Sequence, residues 1–309
     1  MRRCLDALTL QSSAPAEVVV VVRNDDPESR EAAESFATQL PLRVATVDRP
    51  GQVQALNAGL VMVRNQLVAI TDDDARPWPS WIERILGHFA DPAVGAVGGR
   101  DVVYWKGDLV DGRARYVGRV QWFGRVLGNH HLHSEPQDVQ FLKGANMSYR
   151  RDALTGFDEN LAGDGSQICN DMQASLRVYA SGWRVVWDPE VTVDHFAAER
   201  FDEDKRLDPT LRAVTNVLHN QTYILFSLLN GWRGLAAFLY ALGIGTRSEP
   251  GVLMLPVAAV TDRSVARSLF GLRANFEGRL RGLATFLRKR GKPRFPPELA
   301  RHWSRQEAD

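Results

Sequence analysis

Three consecutive aspartates, Asp72, Asp73 and Asp74, follow the short apolar run at 67–71. Adjacent like charges repel one another, so a chain that places them at the end of a buried strand requires a positive charge there. A hard divalent cation such as Mg²⁺ or Mn²⁺ prefers oxygen ligands and usually binds together with substrate phosphates. The triplet therefore predicts a site for a metal-bound diphosphate. The alternative is a solvated acidic turn that caps the next helix.

Strand-like and helical patterns alternate around the triplet. The strand-like runs are short and rich in β-branched residues, as strands buried on both faces should be, and they lie at 17–22, 42–47, 67–71 and 94–99. Helical spacing of apolar residues marks the segments between them, and Ser80 and Glu83 form an S-x-x-E capping box before the third helix. The alternation predicts an α/β fold with a mostly parallel, doubly wound sheet. Ligands of such sheets bind beyond the carboxyl ends of the strands, where the triplet lies.

The composition excludes several classes of protein. Among 309 residues, 38 basic and 37 acidic side chains nearly cancel, so the overall charge gives no indication of a nucleic-acid partner. Cys4 and Cys169 lack metal-type spacing and are interpreted as structural thiols in a reducing compartment. The N-terminal residues contain no continuous apolar segment of the secretory type, so a cytoplasmic location is expected.

Four stretches carry a family resemblance, and they occur in a fixed order: RPGQVQALNAGL (49–60), VAITDDDARPWPSWIERIL (68–86), FLKGANMSYRRDALTGFDENL (141–161) and NDMQASLRVYASGWRVVWDPEVTVDHF (170–196). In this order the chain resembles the family 2 glycosyltransferases, which have the A-type nucleotide-sugar-binding fold. The resemblance implies a catalytic domain at 1–205, followed by a helical C-terminal region at 206–309.

The resemblance also implies roles for individual residues. Asp72 and Asp74 match the outer members of the family's DxD motif, with Asp74 as a metal ligand and Asp72 at the donor ribose or the metal's waters. Asp171 matches the general base for the acceptor hydroxyl, but Asn170 replaces the acidic residue that usually precedes it. His195 matches a histidine that joins the metal or diphosphate site in some relatives; a structural histidine is the alternative.

Further residues are assigned to the two substrates. Donor contacts are expected from Asp72, Asp73, Asp25, Asp26 and Asn57, and acceptor contacts from Gly144, Ala145, Asn146 and Asn170. A helix N-terminal turn before Pro27 explains Asp25 and Asp26 equally well. A tight turn explains Gly144 about as well as close approach to a sugar or phosphate does.

The stretch at 122–138 contains three clustered histidines, His130, His131 and His133. They lack supporting cysteines or a helical i, i+4 pair, so a loop over the acceptor site is favoured over a set of metal ligands. At its start the chain departs from the family, because it opens with the first helix (4–11) and not with the strand that usually precedes it. A central strand omitted from a sheet would leave apolar neighbours exposed, so we expect an in-frame, β-branched run encoded upstream.

The character of the sequence changes after about residue 210. The apolar segment 223–244 is interrupted by Asn230, Gly231 and Arg233, which predicts a helical hairpin at a membrane interface or packed on the catalytic domain. Residues 263–294 carry ten basic residues against Glu277. Leucine and phenylalanine recur there at helical spacing: Leu269, Leu272, Phe276, Leu280, Leu283 and Leu287. Either this helix lies on an anionic membrane surface or its apolar face packs on the core.

Together these patterns predict an inverting glycosyltransferase that depends on Mn²⁺ or Mg²⁺. It would move a sugar from a nucleotide-diphosphate donor to a glycan or lipid-linked acceptor, at the inner face of the cell membrane. Two alternatives stay open. A sugar nucleotidyltransferase would use the same metal carboxylates to attack phosphorus, and a non-catalytic protein would only bind the nucleotide-sugar or the glycan.

Overall fold

The structure is a computed structural model that describes residues 1–105, 108–196, 210–229, 231–261 and 264–299. Its helices are α1 (Arg2–Thr9), α2 (Pro27–Glu34), α3 (Gln52–Met62), α4 (Trp81–Phe89), α5 (Asn170–Ala180), α6 (Leu211–Leu228), α7 (Gly231–Gly243), α8 (Leu255–Thr261) and α9 (Val265–Lys289). Its strands are β1 (Val18–Arg23), β2 (Leu42–Val47), β3 (Leu67–Ile70), β4 (Ala75–Pro77), β5 (Val94–Trp105), β6 (Asp108–Leu109), β7 (Arg119–Val120), β8 (Val126–Leu127), β9 (Gln137–Asp138), β10 (Met147–Arg150) and β11 (Arg184–Phe196). The expected domain boundary at 205/206 lies outside the described residues and stays a prediction.

The main sheet is mixed, and its longer strands share one direction. Its order is β3-β10-β5-β11-β4. β5 and β11 pair in parallel, and β10 runs antiparallel to both β3 and β5, so β3 points the same way as β5. β4 pairs antiparallel with β11, with Ala75 opposite His195. β3 and β4 lie at opposite ends of this order, so the triplet at 72–74 that joins them brings the chain from the carboxyl end of β3 to the last residues of β11.

Helices cover both faces of this sheet, which confirms the predicted α/β fold. In both β5 and β11, neighbouring residues belong to different hydrophobic cores. Ala96, Val185 and Trp187 lie in one core, and Val97 and Val186 lie in the other. The first core contains residues of α3, α5 and α6, and the second contains residues of α1 and α4. Because successive side chains of a strand point to opposite faces, the two cores lie on opposite sides of the sheet.

β1 and β2 differ from the expectation that these strands are buried on both faces. Among the described strands they pair only with each other, in a separate parallel sheet. Only Val18 and Val22 of β1 are buried, and the residues between them are partly accessible. The upstream strand expected from the sequence stays a prediction.

The predicted capping box at α4 is wrong. Ser80 precedes α4, but its side chain accepts no hydrogen bond from the helix. Glu83 Oε2 instead accepts a hydrogen bond of 2.7 Å from the Ser12 hydroxyl, and the Gln11 side chain accepts one from Ile82 N at 3.1 Å. A tertiary contact from the segment after α1 has therefore replaced the local cap.

The C-terminal helices pack on the catalytic part through α6. Tyr223, Ile224 and Leu225 of α6 belong to the larger core, so the predicted hairpin segment is packed on the catalytic domain at this helix. α9 lies along α6, but its leucines do not form its buried face, as packing of the apolar face on the core would require. The buried residues of α9 are small or polar: Ser268, Gly271, Ala274, Asn275, Gly278, Gly282 and Thr285.

Close approach of the α6 and α9 backbones explains why the buried residues of α9 are small. A Cβ added at Gly278 would lie 2.7 Å from both Thr215 O and Leu218 Cβ, and one added at Gly282 would lie 2.5 Å from His219 O. Leucine does not fit in that space, so Leu280 and Leu287 point away from α6 and are more than half exposed. Within the described part of the chain, no helix has both the length and the apolar character needed to cross a bilayer.

Candidate active site

Two aspartates of the triplet lie close to a histidine near the end of another strand. Asp72 and Asp74 follow β3, and His195 is the second-last residue of β11. One carboxylate oxygen from each aspartate and one ring nitrogen of His195 all lie within 4.8 Å of one another. Asp73 lies outside this group: its side chain is mostly exposed and is 3.8 Å from the N-terminal ammonium. The structure thus brings together the three residues predicted to hold a metal.

A fourth residue, Asp101 on β5, fixes the orientation of the histidine. His195 Nδ1 lies 3.1 Å from Asp101 Oδ1, and Asp101 Oδ2 also contacts the Lys143 ammonium. His195 Nε2 lies 3.3 Å from Asp74 Oδ1, yet this buried atom makes no hydrogen bond of acceptable geometry within the described residues. The ring therefore presents Nε2 towards the aspartates, with Nδ1 held by Asp101.

The charges in this group show which positive charge offsets the repulsion between the aspartates of the triplet. Burial, followed by the nearby Asp74 charge, raises the pKa of Asp72 to about 6. Burial alone would lower the pKa of His195, but its contacts with Asp101 and Asp74 raise it to about 9. Burial opposes ionisation of Asp101 as well, yet His195 and Lys143 lower its pKa to about 2. In the protein alone, the His195 imidazolium supplies the positive charge that the aspartates require.

These residues fit a divalent cation. Two carboxylates and an imidazole are ligands that Mn²⁺ accepts, and Mg²⁺ accepts the carboxylates. His195 Nε2 is a buried nitrogen that faces Asp74 and makes no hydrogen bond within the described residues, so it suits a ligand role. Asp101 on the opposite ring nitrogen matches the usual support of a metal-binding histidine, in which a carboxylate fixes ring orientation and tautomer.

The predicted base, Asp171, lies in the first turn of α5. Its Oδ2 accepts a hydrogen bond from Gly144 N at 2.9 Å and its Oδ1 accepts one from Met172 N at 2.7 Å. Burial raises the pKa of Asp171 above its usual range, although both N–H groups act in the opposite direction. Each carboxylate oxygen has a second lone pair, so Asp171 can still accept a proton.

The backbone that leads into α5 is strained. Gln167 and Cys169 have φ angles of 40° and 76°, in the left-handed region that residues with a side chain rarely adopt. Such residues concentrate at functional sites, where the surrounding structure holds them in place. The strain therefore supports the assignment of the α5 N-terminus, and of Asp171, to the active site.

One short loop joins the group of Asp72, Asp74 and His195 to Asp171. Lys143 contacts Asp101, and the next residue, Gly144, donates its N–H to Asp171. Sequence reasoning missed both Asp101 and Lys143. Asp101 gave the same signal as the triplet, an acidic residue near the end of a strand, but the predicted strand stopped at 99 whereas β5 continues to Trp105.

Several residues predicted to contact the donor or acceptor make hydrogen bonds inside the protein. Asn57 Nδ2 donates to Phe157 O and its Oδ1 accepts from Phe157 N, both at 2.9 Å. Asn146 binds Trp81 Nε1 through its Oδ1 and Val191 O through its Nδ2. These hydrogen bonds give both buried amides a positioning role, and donor contact by Asn57 and acceptor contact by Asn146 stay predictions.

Two other expected acceptor residues are placed in the same way. Ala145 O accepts a hydrogen bond of 2.9 Å from the Thr71 hydroxyl, next to the triplet. Asn170 Nδ2 donates to Gln52 Oε1 at 2.9 Å and to two backbone carbonyls of the strained loop. Both residues tie active-site segments together.

The two aspartates before α2 have different surroundings. Asp26 caps α2, because its Oδ1 accepts a hydrogen bond of 3.0 Å from Ser29 N. Asp25 is mostly exposed and lies 3.2 Å from Arg23 Nε. The helix-turn interpretation is thus confirmed for Asp26, and donor contact by Asp25 stays a prediction.

The three histidines are not grouped as metal ligands in the described structure. His130 is buried, and its ring lies 3.0 Å from Phe141 O. His133 lies 3.5 Å from Asp111, and His131 is partly accessible. His130 O accepts a hydrogen bond of 3.1 Å from Asp101 N, so this segment is attached directly to the candidate site.

Comparisons with known proteins identify the family of the chain. A family model described as Glycosyl transferase family 2 matches residues 1–157. The glucosyl-dolichyl phosphate glucuronosyltransferase of Haloferax volcanii is 25% identical over 204 residues, covering 62% of this chain and 62% of that protein. The pre-mycofactocin glycosyltransferase of Mycobacterium tuberculosis is 31% identical over 153 residues, covering 47% of this chain and 30% of that protein. The chain thus spans less than two thirds of the length of either relative.

Among solved structures, GalNAc-T7 with UDP, GalNAc and Mn²⁺ is similar at a TM-score of 0.54 and 12% identity, covering 84% of this chain and 51% of that chain. This likeness shows a common A-type glycosyltransferase fold. The family model covers just over half of the chain, and its range includes β1 to β5, the Asp72–Asp74 triplet and Asp101. The chain therefore belongs to glycosyl transferase family 2.

Proposed function

We propose that this chain is an inverting, metal-dependent glycosyltransferase that moves a sugar from a nucleotide-diphosphate donor to an acceptor hydroxyl. The observation that carries the proposal is that one short loop joins two groups of polar side chains. Asp72, Asp74 and His195 form a ligand group, and the partly buried carboxylate Asp171 is joined to it through Lys143 and Gly144.

The ligand group serves the donor. Asp72, Asp74 and His195 would hold Mn²⁺ or Mg²⁺, which when bound neutralises the negative charge of a diphosphate leaving group. Asp101 holds His195 in the orientation that points Nε2 towards the aspartates. Mn²⁺ in the GalNAc-T7 structure supports the choice of ion.

Asp171 serves the acceptor. A carboxylate within hydrogen-bond reach removes the proton as the acceptor hydroxyl attacks the anomeric carbon. The attack comes from the face opposite the diphosphate, so the C–O bond to the acceptor forms as the bond to the diphosphate breaks, and the anomeric configuration inverts. The raised pKa of Asp171 brings this base closer to neutral pH, where proton transfer is most efficient.

We assign a lipid-linked glycan as the acceptor class. The name of the Haloferax relative describes transfer onto a glucosyl-dolichyl phosphate, a sugar on a lipid carrier. Such acceptors lie at a membrane, which is consistent with the strongly basic C-terminal region and with a peripheral location at the membrane's inner face.

The test is a screen of sugar nucleotides by thermal shift, with and without Mn²⁺, because a ligand that binds the native state raises the Tm. Donors that bind are then incubated with the protein and a lipid-linked sugar. We expect a nucleoside diphosphate as the product. Inorganic pyrophosphate would identify a nucleotidyltransferase, and donor binding without turnover would identify a binding protein.

A further inference from the structure

The outer face of α7 is apolar and exposed. Trp232, Leu235 and Leu239 follow one another at helical spacing, and Trp232 is 62% exposed. The fully buried residues of the opposite face are small, Gly234, Ala237 and Ala241, and Phe238 is partly buried against Phe226 of α6. A helix on a water-facing surface normally has the reverse pattern, with its large apolar residues against the core.

The segment that follows continues this surface. Leu253 N donates to Gly243 O at 2.8 Å, which fastens the turn before α8 to the end of α7. Leu253 is 73% exposed and Val260 is 78% exposed, and α8 is buried mainly through Ala258. We call the six residues Trp232, Leu235, Leu239, Leu253, Val257 and Val260 the α7–α8 surface.

α9 shows that the whole region is packed in an unusual way. Gly278 and Gly282 lie against α6, and Leu269, Leu280 and Leu287 point outward. Buried polar side chains link the helices: Asn275 Nδ2 donates to Ala241 O at 2.7 Å, and His219 lies 2.9 Å from Thr285 Oγ1. Small residues and side-chain hydrogen bonds between helices, with large apolar residues outside, are typical of helices in contact with lipid.

The charge of the region selects the kind of partner. Residues 210–299 contain thirteen Arg or Lys against four Asp or Glu, which leaves 25 basic and 33 acidic residues for the rest of the chain. Arg247, Arg267 and Arg273 are exposed. Exposed apolar residues together with a local excess of positive charge suit anionic headgroups above an acyl layer.

The surface is also connected to the active site. Phe123, in the turn between β7 and β8, packs on Tyr240 of α7 with ring centroids 4.7 Å apart, and its neighbour Trp122 is 61% exposed. The chain then passes from β8 to His130, whose carbonyl accepts the hydrogen bond from Asp101 N. One continuous segment therefore joins the apolar surface to the site beside the ligand group.

From these observations we infer that the α7–α8 surface, with Trp122 beside it, inserts into the headgroup region of an anionic bilayer. The exposed arginines bind the headgroups, and the β7–β8 turn places the active site at the membrane where a lipid-linked acceptor is presented. The delivery of an acceptor rests on the proposed function; binding to the bilayer does not.

The experiment is co-sedimentation of the full chain with vesicles of phosphatidylcholine alone, or of phosphatidylcholine with phosphatidylglycerol. We expect binding to the anionic vesicles that weakens in high salt, because the headgroup attraction is screened. The double variant Leu253→Asp, Val260→Asp should lose this binding by about 10-fold or more, because a charge replaces two inserted apolar side chains. Leu10→Asp is the matched control, since Leu10 is 70% exposed on the catalytic side, and it should bind like the wild type.

Each outcome decides between explanations. Equal binding by the double variant and the wild type, or no binding by either, would overturn the inference. A wild type that is dimeric in light scattering and ignores vesicles, with a monomeric double variant, would identify the surface as an interface between two copies. The Tm of each variant verifies folding. If vesicle binding stands while no sugar nucleotide shifts the Tm, the proposed function fails and the membrane surface remains.

Discussion

The catalytic part and the C-terminal helices of this chain bury opposite kinds of residue. In the catalytic part, large side chains such as Trp81, Tyr149 and Trp187 fill the cores on both faces of the sheet. In α7 and α9, the fully buried residues are glycine, alanine and small polar residues, and several large apolar residues, such as Trp232, Leu280 and Leu287, lie outside. The difference shows that apolar residues at helical spacing predict an apolar stripe along the helix, but not whether that stripe faces the interior or the outside of the protein.

The largest expected effect tests the catalytic side of this comparison. Asp171→Asn should lower kcat by about 10²- to 10⁴-fold, since an amide cannot accept the acceptor's proton. Donor affinity should be unchanged. The Tm should be equal or higher, because burial penalises the ionised carboxylate in the folded state. Steady-state kinetics and a thermal melt measure these quantities, and near-normal turnover would require a different base.

The same carboxylate should set the acidic limb of the pH–rate profile. Asp171 works only when ionised, and its pKa is raised, so kcat/KM should fall as the pH drops at a value above the ordinary 3.8 of an aspartate. A profile of initial rates, with stability measured at each pH, checks this. A limb at or below 3.8 would contradict the assignment.

A second substitution tests the ligand group. Asp74→Asn should weaken Mn²⁺-dependent nucleotide binding by about 100-fold or more, because it removes a charged ligand from the group. Asp73→Asn is the matched control, since the adjacent side chain is exposed and lies outside the group. Calorimetry with and without Mn²⁺ provides both values. Equal losses in the two variants would indicate a general acidic surface and no defined metal site.

Asp101 should influence metal affinity indirectly, through the orientation of His195. Asp101→Asn should reduce Mn²⁺ affinity by about 10- to 100-fold, the usual cost of losing the partner of a metal-binding histidine. The readout is the Mn²⁺ dissociation constant from electron paramagnetic resonance. Since the substitution also leaves Lys143 unpaired, Lys143→Met at unchanged Asp101 is the comparison variant. A loss that is as large in Lys143→Met would assign the effect to packing.

The smallest expected effect tests the packing of α9 directly. Gly278→Ala should destabilise the protein by about 1–3 kcal/mol, because even a methyl group would lie within 2.7 Å of α6. Leu280→Ala, two residues away on the exposed side, should change stability in detergent-free buffer by less than about 1 kcal/mol. Chemical denaturation measures both. The reverse order would mean that α9 packs its leucines on the core, the alternative interpretation of the sequence.

The sequence predicted the parts of the molecule that depend on neighbours along the chain. Adjacent carboxylates after an apolar run indicated Asp72 and Asp74, and strand–helix alternation indicated the doubly wound sheet. The family resemblance added Asp171 and His195, which lie more than ninety residues further along the chain than the triplet.

What the sequence could not predict depends on partners distant in the chain. Glu83 is an ideal residue for a capping box, but Ser12 takes its carboxylate. Asn57 is predicted to contact the donor, but in the structure its amide nitrogen and oxygen are both hydrogen-bonded to the backbone of Phe157. For α9, glycine and leucine alternate on opposite sides of the helix, and only the position of α6 decides which side is inside.

The half-covered strand β1 has a consequence for the protein in concentrated solution. Its five consecutive valines form a strand that pairs only with β2 among the described strands, so one edge offers free backbone groups. An uncharged β-branched run with an open edge is the kind of segment that recruits other chains into intermolecular sheets. Loss of soluble protein on storage should therefore increase with concentration below the Tm.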